Sequence, residues 1–179
     1  MPDYCEADVP SQIGKTAFIT GANTGIGYDT ARVLAERGAK VLLGCRTEER
    51  ALEAIKRIKE KVPNAELKWI ELDLANLSSI KAAAEIAIEE PTLDILVNNA
   101  GITRDGLLMR MKDGDWDTDL EVNMTASMSL CRAAMRGMMK AKTGLKSSFY
   151  QIYKIYVIYL LDYQNLHASY NLVLNISYS

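Results

Sequence analysis

The chain has 179 residues and a formal net charge of −2, enough length for one buried core and no basic surplus for nucleic acid or an anionic membrane. It is 49% apolar and 25% charged, the make-up of a globular domain rather than a disordered chain. Its three cysteines, Cys5, Cys45 and Cys131, are odd in number and far apart, which fits neither a disulfide framework nor a metal site and suits a reducing compartment.

The first ten residues, MPDYCEADVP, have no basic n-region and no apolar h-region, so no signal peptide is expected and the expected location is cytoplasmic. No stretch reaches the ~18 consecutive apolar residues of a membrane span. KTAFIT (15–20) predicts a short buried strand. A glycine-bearing stretch follows, and then TARVLAERG, with apolar residues at 31, 33, 34 and 35 and Gly38 as a C-terminal cap. KVLLGC (40–45) predicts a second strand. Thr47, Glu48 and Glu49 open the next helix, where Leu52, Ile55, Ile58 and Val62 are expected to form the apolar face before Pro63 stops it. LKWIEL (67–72) predicts a third strand, Asn76 a cap for a helix through Glu90, and LDILVNN (93–99) a fourth strand. A long helix is expected from about Asp115 to Lys142, interrupted by nothing but Gly137. Strands alternating with helices of this length imply βαβ units: an α/β fold, Rossmann-like, with a doubly wound parallel sheet.

From residue 143 onward the composition changes. The charged residues there are Lys146, Lys154 and Asp162, and seven of the nine tyrosines lie at 150 or later. The expected division is therefore a nucleotide-binding domain over 1–144 and an atypical Tyr/Ile-rich tail over 145–179, with the sheet incomplete on its C-terminal side. Tyr, Ile, Asn, Lys and Leu are what AT-rich codons yield, so translated intron or frameshifted sequence is the expected origin of the tail. A continuous coding exon through Ser179 would contradict that.

The glycines at 21, 25 and 27, in TGANTGIG (20–27), stand between a strand and a helix. A phosphate approaches backbone closely only where no Cβ intervenes, and the helix that follows aims free N–H groups and its positive dipole end at the anion. The spacing is Gly-x-x-x-Gly-x-Gly rather than the Gly-x-Gly-x-x-Gly of the usual dinucleotide fingerprint. Taken alone, a βα turn that merely favours glycine competes with this reading. The second strand ends in Cys45-Arg46, where an NAD site would carry an acid. An arginine there suits a 2′-phosphate and favours NADP over NAD, against the competing reading of a solvated helix-entry charge. Asp73-Leu74 and NNAG (98–101) end the third and fourth strands, so all these residues are expected along one crevice outside the carboxyl edge of the sheet.

TGANTGIG together with NNAG, in the right βα order, resembles the short-chain dehydrogenase/reductase family over roughly residues 13–144. Up to Gly101 the wording is similar to the retinol-dehydrogenase-like branch. From GITRDGLLMRMKDGDWD to CRAAMRGMMKAKTG it is similar to 3-oxoacyl-carrier-protein reductases. The resemblance implies an oxidoreductase that moves a hydride between nicotinamide and a small-molecule carbonyl or alcohol, and association into homo-oligomers. It implies that Gly21, Gly25, Ile26 and Gly27 form the cofactor turn, with Asn23 and Thr24 near the phosphates. Arg46 would face the 2′-phosphate, and Asp73 and Leu74 would flank the adenine. Asn98, Ala100 and Gly101 would line the nicotinamide side. Asn123, in EVNMTAS, matches the asparagine that holds the proton-relay water; the competing reading of Asn123-Met-Thr125 is a glycosylation acceptor.

The family chemistry also needs a serine and a Tyr-x-x-x-Lys, whose lysine lowers the tyrosine pKa. Tyr150 and Lys154 satisfy the spacing but come only six residues past Gly144, with no serine strand between. Tyr163 lies nearer the expected place, but its fourth neighbour is His167. LVLNISYS resembles the serine strand, with Ser177 near the catalytic place. The alternative function is therefore a catalytically inactive nucleotide-binding module lacking the serine and the Tyr-x-x-x-Lys.

Overall fold

A computed structural model describes residues 5–100, 114 and 121–140. After a short 3-10 turn, Glu6–Asp8, come β1 (Thr16–Thr20), α1 (Gly25–Glu36), β2 (Lys40–Cys45) and α2 (Glu48–Lys61). They are followed by β3 (Leu67–Glu71), α3 (Leu77–Ile88) and β4 (Ile95–Val97). A π-helical turn, Glu121–Thr125, leads into α4 (Ala126–Lys140). The four strands form one parallel sheet in the order β3-β2-β1-β4.

Successive side chains of a strand point to opposite faces, and here both faces are covered. Phe18, Leu42, Ile70 and Leu96 face one core, with Ile80, Ala83, Ala84 and Ala87 of α3 and Ala126, Leu130 and Ala134 of α4. Ile19, Val41, Leu43 and Cys45 face the other, with Ala31 and Ala35 of α1 and Ala51, Ala54 and Ile58 of α2. The sheet is therefore doubly wound, as expected from the alternation of strands and helices. Alanines dominate the helix faces, and their small side chains let helix backbone approach the sheet.

Three details differ from the sequence reading. The buried face of α2 is Ala51, Ala54 and Ile58, with Ile55 and Val62 packed beside them, whereas Leu52 is 51% exposed. Close packing selects the alanines and leaves the larger side chain outside. β4 stops at Val97 rather than Asn99, because the next amides bond to a side chain instead of a neighbouring strand. The helix expected over 115–142 is not uniform where it is described. The turn Glu121–Thr125 is π-helical, and only from Ala126 do residues 126, 130 and 134 form the i, i+4 stripe that packs into the core.

Just past α3, Glu90 ties two strands together. It accepts from Lys40 Nζ at the start of β2 and, at 3.0 Å, from Lys68 Nζ in β3. The Lys40 bond, then burial in opposition, then the Lys68 bond act on the Glu90 carboxyl, and the net effect holds its pKa below the usual carboxylate value. A depressed folded-state pKa means that this stabilisation is present above the unfolded carboxylate pKa of about 4.3 and is lost as pH falls through the folded value. The urea midpoints of the wild-type chain and Glu90→Gln should therefore differ at pH 7 and converge on acidification. A gap that stays constant from pH 7 to pH 3 would contradict this role for Glu90.

Candidate functional site

The helices that follow β1 and β2 cover one face of the sheet, and the helix that follows β3 covers the other. The connection thus changes sides between β1 and β4, which are neighbours. A crevice opens outside the carboxyl ends of strands at such a switch point. The segments that meet there are the stretch after β1, with Gly21 to Gly27, and the stretch after β4, with Asn98 to Ala100.

Two residues join these segments. Thr20, fully buried at the end of β1, has its hydroxyl oxygen accept from the backbone N–H of Asn99 (3.0 Å) and of Ala100 (2.9 Å). The Asn99 amide donates back to the Thr20 carbonyl (3.0 Å) and lies 3.4 Å from the Gly21 carbonyl oxygen. The sequence reading assigned neither residue a role, although both stand inside the motifs it used. Polar groups at a strand end read as ligand contacts, whereas these are spent on holding two loops together.

The three glycines have different physical reasons. A Cβ on Gly21 would lie 2.9 Å from the Ala100 Cβ, and the backbone there has φ +65°. A Cβ on Gly27 would come within 2.4 Å of both the Asn99 amide nitrogen and the Gly21 carbonyl oxygen. These two let β1, α1 and the segment after β4 meet. Gly25 has φ +58°, and a Cβ there would meet no atom of the described residues within 4 Å, so it borders open space among them. Gly25 opens α1. Its N-cap, Thr24, makes no side-chain capping bond, and the first turn holds no acid. The contrast is α3, where the Asn76 side chain accepts from the backbone N–H of Ser78 (2.9 Å) and Ser79 (3.3 Å). Among the described residues, the positive end of α1 is therefore left without a protein anion, beside open space. Asn23 is half-buried in this turn, Thr24 is exposed and Ile26 is 46% exposed.

At the end of β2, Cys45 is buried and its thiol is pushed up to about 11, first by burial, so it is not a nucleophile at neutral pH. Arg46 is exposed and has no ion-pair partner among the described residues. Asp73 is half-buried beyond β3, where its carboxylate accepts from the Ala75 N–H at 3.0 Å. Leu74 is buried in the core beside α3 and α4. After β4, the Asn98 side-chain amide donates to the Cys131 sulfur of α4 at 3.3 Å, while its buried Oδ1 has no partner among the described residues. Asn123 is half-buried in the π-helical turn. Gly101 lies outside the described residues, as do Tyr150, Lys154, Tyr163, His167 and Ser177. Among the described residues no helix is long and apolar enough to cross a membrane, and no cluster of His, Cys, Asp or Glu could hold a metal ion.

A family model described as short chain dehydrogenase matches residues 15–145. The chain is 46% identical over 132 residues to the 3-oxoacyl-(acyl-carrier-protein) reductase FabG of Escherichia coli, covering 73% of this chain and 52% of that protein. It is 48% identical over 120 residues to the short chain dehydrogenase/reductase dpfgH of Gibberella zeae, covering 61% of this chain and 34% of that protein. The chain thus spans about half of the former's length and about a third of the latter's. Among solved structures, a gluconate 5-dehydrogenase from Burkholderia cenocepacia in complex with NADP and tartrate has a TM-score of 0.67 at 32% identity, covering 75% of this chain and 52% of that one. L-sorbose reductase from Gluconobacter frateurii, complexed with NADPH and L-sorbose, has a TM-score of 0.66 at 32% identity, covering 73% and 49%.

Proposed function

The chain belongs to the short-chain dehydrogenase family, and on that premise we propose that residues 1–144 form a dinucleotide-binding domain selective for NADP over NAD. One observation carries the reading. The uncapped N-terminus of α1 and the open space at Gly25 stand together at the switch point of the sheet. A pyrophosphate fits that place, since it supplies the anion the helix end lacks and needs the space a Cβ would fill. Gly21, Gly25, Ile26 and Gly27 would form the cofactor turn, with the Asn23 and Thr24 side chains beside the phosphates. Arg46, exposed at the end of β2, would pair with the 2′-phosphate. Asp73 and Leu74 would border the adenine. Asn98, Ala100 and Gly101 would line the nicotinamide side, and the unpartnered Oδ1 of Asn98 supports a polar contact there.

When bound, the nicotinamide supplies hydride chemistry on a small-molecule carbonyl or alcohol. Asn123 would hold a water of the proton relay. Its place in a π-helical turn supports this, because such turns recur at functional sites and offset one residue from its helix stripe. The tail over 145–179 would stand outside the nucleotide domain. A second reading, a nucleotide-binding module without turnover, is favoured by the early position of Tyr150 and Lys154 in the sequence. Turnover of a simple carbonyl with NADPH separates the two.

Arg46→Asp tests the cofactor assignment. Losing a charge-assisted bond to phosphate and gaining a like charge should weaken NADPH by about 10- to 100-fold while leaving NADH equal or better. Titration of both cofactors into both chains measures it. An unchanged NADPH/NADH ratio would retire Arg46 as the 2′-phosphate residue.

A further inference from the structure

β2 runs one residue further than its pairing with β1. That pairing ends at Gly44, opposite Thr20, and the Gly21 N–H closes it by donating to the Gly44 carbonyl at 2.8 Å. Cys45 is paired only on the other side, opposite Glu71 of β3, the outer strand among the described residues. Its carbonyl takes two donors from that side. The Leu72 N–H donates at 3.1 Å and continues the ladder past the end of β3. The Trp69 indole N–H donates at 3.2 Å and comes from a side chain. Trp69 stands opposite Leu43 in the register, two residues before the partner of Cys45, so its ring reaches forward along β2. The ring is half-buried against the core cluster that holds Cys45, Val41 and Ile58. Packing fixes the ring, and the ring aims its one donor at the last carbonyl of β2.

The peptide whose carbonyl is held in this way joins Cys45 to Arg46. A peptide unit is planar, so two bonds on its oxygen also orient the Cα of Arg46. Beyond Arg46 only Thr47 intervenes before α2 starts at Glu48. The exposed Arg46 side chain therefore springs from backbone that is fixed on both sides. We infer that Trp69 is a positioning residue for cofactor selectivity, its indole N–H fixing the Cys45–Arg46 peptide from which the arginine reaches the 2′-phosphate. This role rests on the NADP reading and extends it to a residue that touches no ligand. The 2′-phosphate is what NADP has and NAD lacks, so losing the indole bond weakens NADP binding and spares NAD. A tryptophan whose N–H served the strand end alone would affect both cofactors equally or neither.

The test uses Trp69→Phe in the full chain, which keeps an aromatic ring against the core and removes the donor, with urea unfolding and titration of NADPH and NADH. Trp69→Phe should raise the NADPH dissociation constant by about three- to tenfold, the worth of one neutral hydrogen bond, and leave that of NADH within about twofold. In the Arg46→Asp background the same substitution should leave NADPH affinity unchanged, since the arginine it acts through is gone. A lower urea midpoint with an unchanged NADPH/NADH ratio would overturn the inference, and so would a further loss of NADPH affinity in the Arg46→Asp background. If Trp69→Phe does not fold, exchange of the Trp69 indole N–H in the wild-type chain decides, with Trp116→Phe to assign its NMR signal. Coupling is reciprocal, so NADPH at saturation should slow that exchange more than NADH does. Equal exchange with the two cofactors overturns the inference. A wild-type chain that binds neither cofactor would overturn the nucleotide reading and this role together, whereas wild-type binding with an unchanged ratio in Trp69→Phe overturns the role of Trp69 alone.

Discussion

Gly27→Ala is expected to reduce the stability of the chain by about 3 kcal/mol, the upper end for an overpacked site, and to abolish nucleotide binding with it. The added Cβ would lie 2.4 Å from the Gly21 carbonyl oxygen and from the Asn99 amide nitrogen. The first is backbone at the entrance of the turn, and the second is held by its own bond to the Thr20 carbonyl. Neither neighbour can swing aside as the end of a flexible side chain could. α1 must then move away from the sheet, breaking the packing of Ala31 and Ala35 on the core. Against a typical total of roughly 5–15 kcal/mol, that is a large fraction. Gly25→Ala is the control. It meets no atom of the described residues within 4 Å, so the expected cost is the strain of a non-glycine residue at φ +58°, about 1–2 kcal/mol. Its Cβ would project into the space proposed for the phosphates, so binding should fall while the fold survives. Urea unfolding and cofactor titration on both variants measure the two effects separately. Equal losses of stability in the two variants would contradict the division of roles between the glycines.

Thr20→Val is expected to be nearly as damaging despite its equal shape. The Thr20 hydroxyl accepts from two backbone amides, Asn99 and Ala100, and the residue has no exposed surface. Valine fills the volume but offers no acceptor, so the two amides lose their partner in a poorly hydrated place. At about 1–3 kcal/mol for each unsatisfied group, the loss is on the order of 2–6 kcal/mol. Thr20→Ser keeps the oxygen and should retain most of the stability, at the smaller cost of the lost methyl group. The readout is the urea midpoint of the three chains, with hydrogen exchange at Asn99 and Ala100 to locate the change. A Thr20→Val chain as stable as Thr20→Ser would mean that the hydroxyl does not join β1 to the segment after β4.

The alternation of strands and helices was legible because a buried parallel strand is a run of apolar residues closed by a turn, and FIT, VLLGC and ILV all obey that rule. The glycine turn was legible for the same reason that it works, since glycines at 21, 25 and 27 cluster where a strand gives way to the helix that follows it. What each glycine does was not legible. Whether the missing Cβ leaves room for a ligand, as at Gly25, or for protein, as at Gly27, depends on what lies across the crevice some 70 residues away in the chain. Thr20 and Asn99 were hidden by the same distance: their partners belong to each other's loop. The face of α2 was misjudged because periodicity ranks Leu52 above Ala51, whereas close packing against a sheet prefers the alanine. The π-helical turn at Asn123 was not legible either, since one extra residue in a turn leaves no mark on an apolar pattern this short.

The central claim is that the turn between β1 and α1 binds a dinucleotide carrying a 2′-phosphate. The most direct measurement is the unfolding transition of the purified 179-residue chain with NADPH, with NADH, and without ligand, with Gly25→Ala as the control chain. NADPH at 100 times its dissociation constant should add about 2.7 kcal/mol to the wild-type chain, NADH at the same concentration less, and neither should help Gly25→Ala. A cooperative transition in the wild-type chain that neither cofactor shifts would contradict the claim.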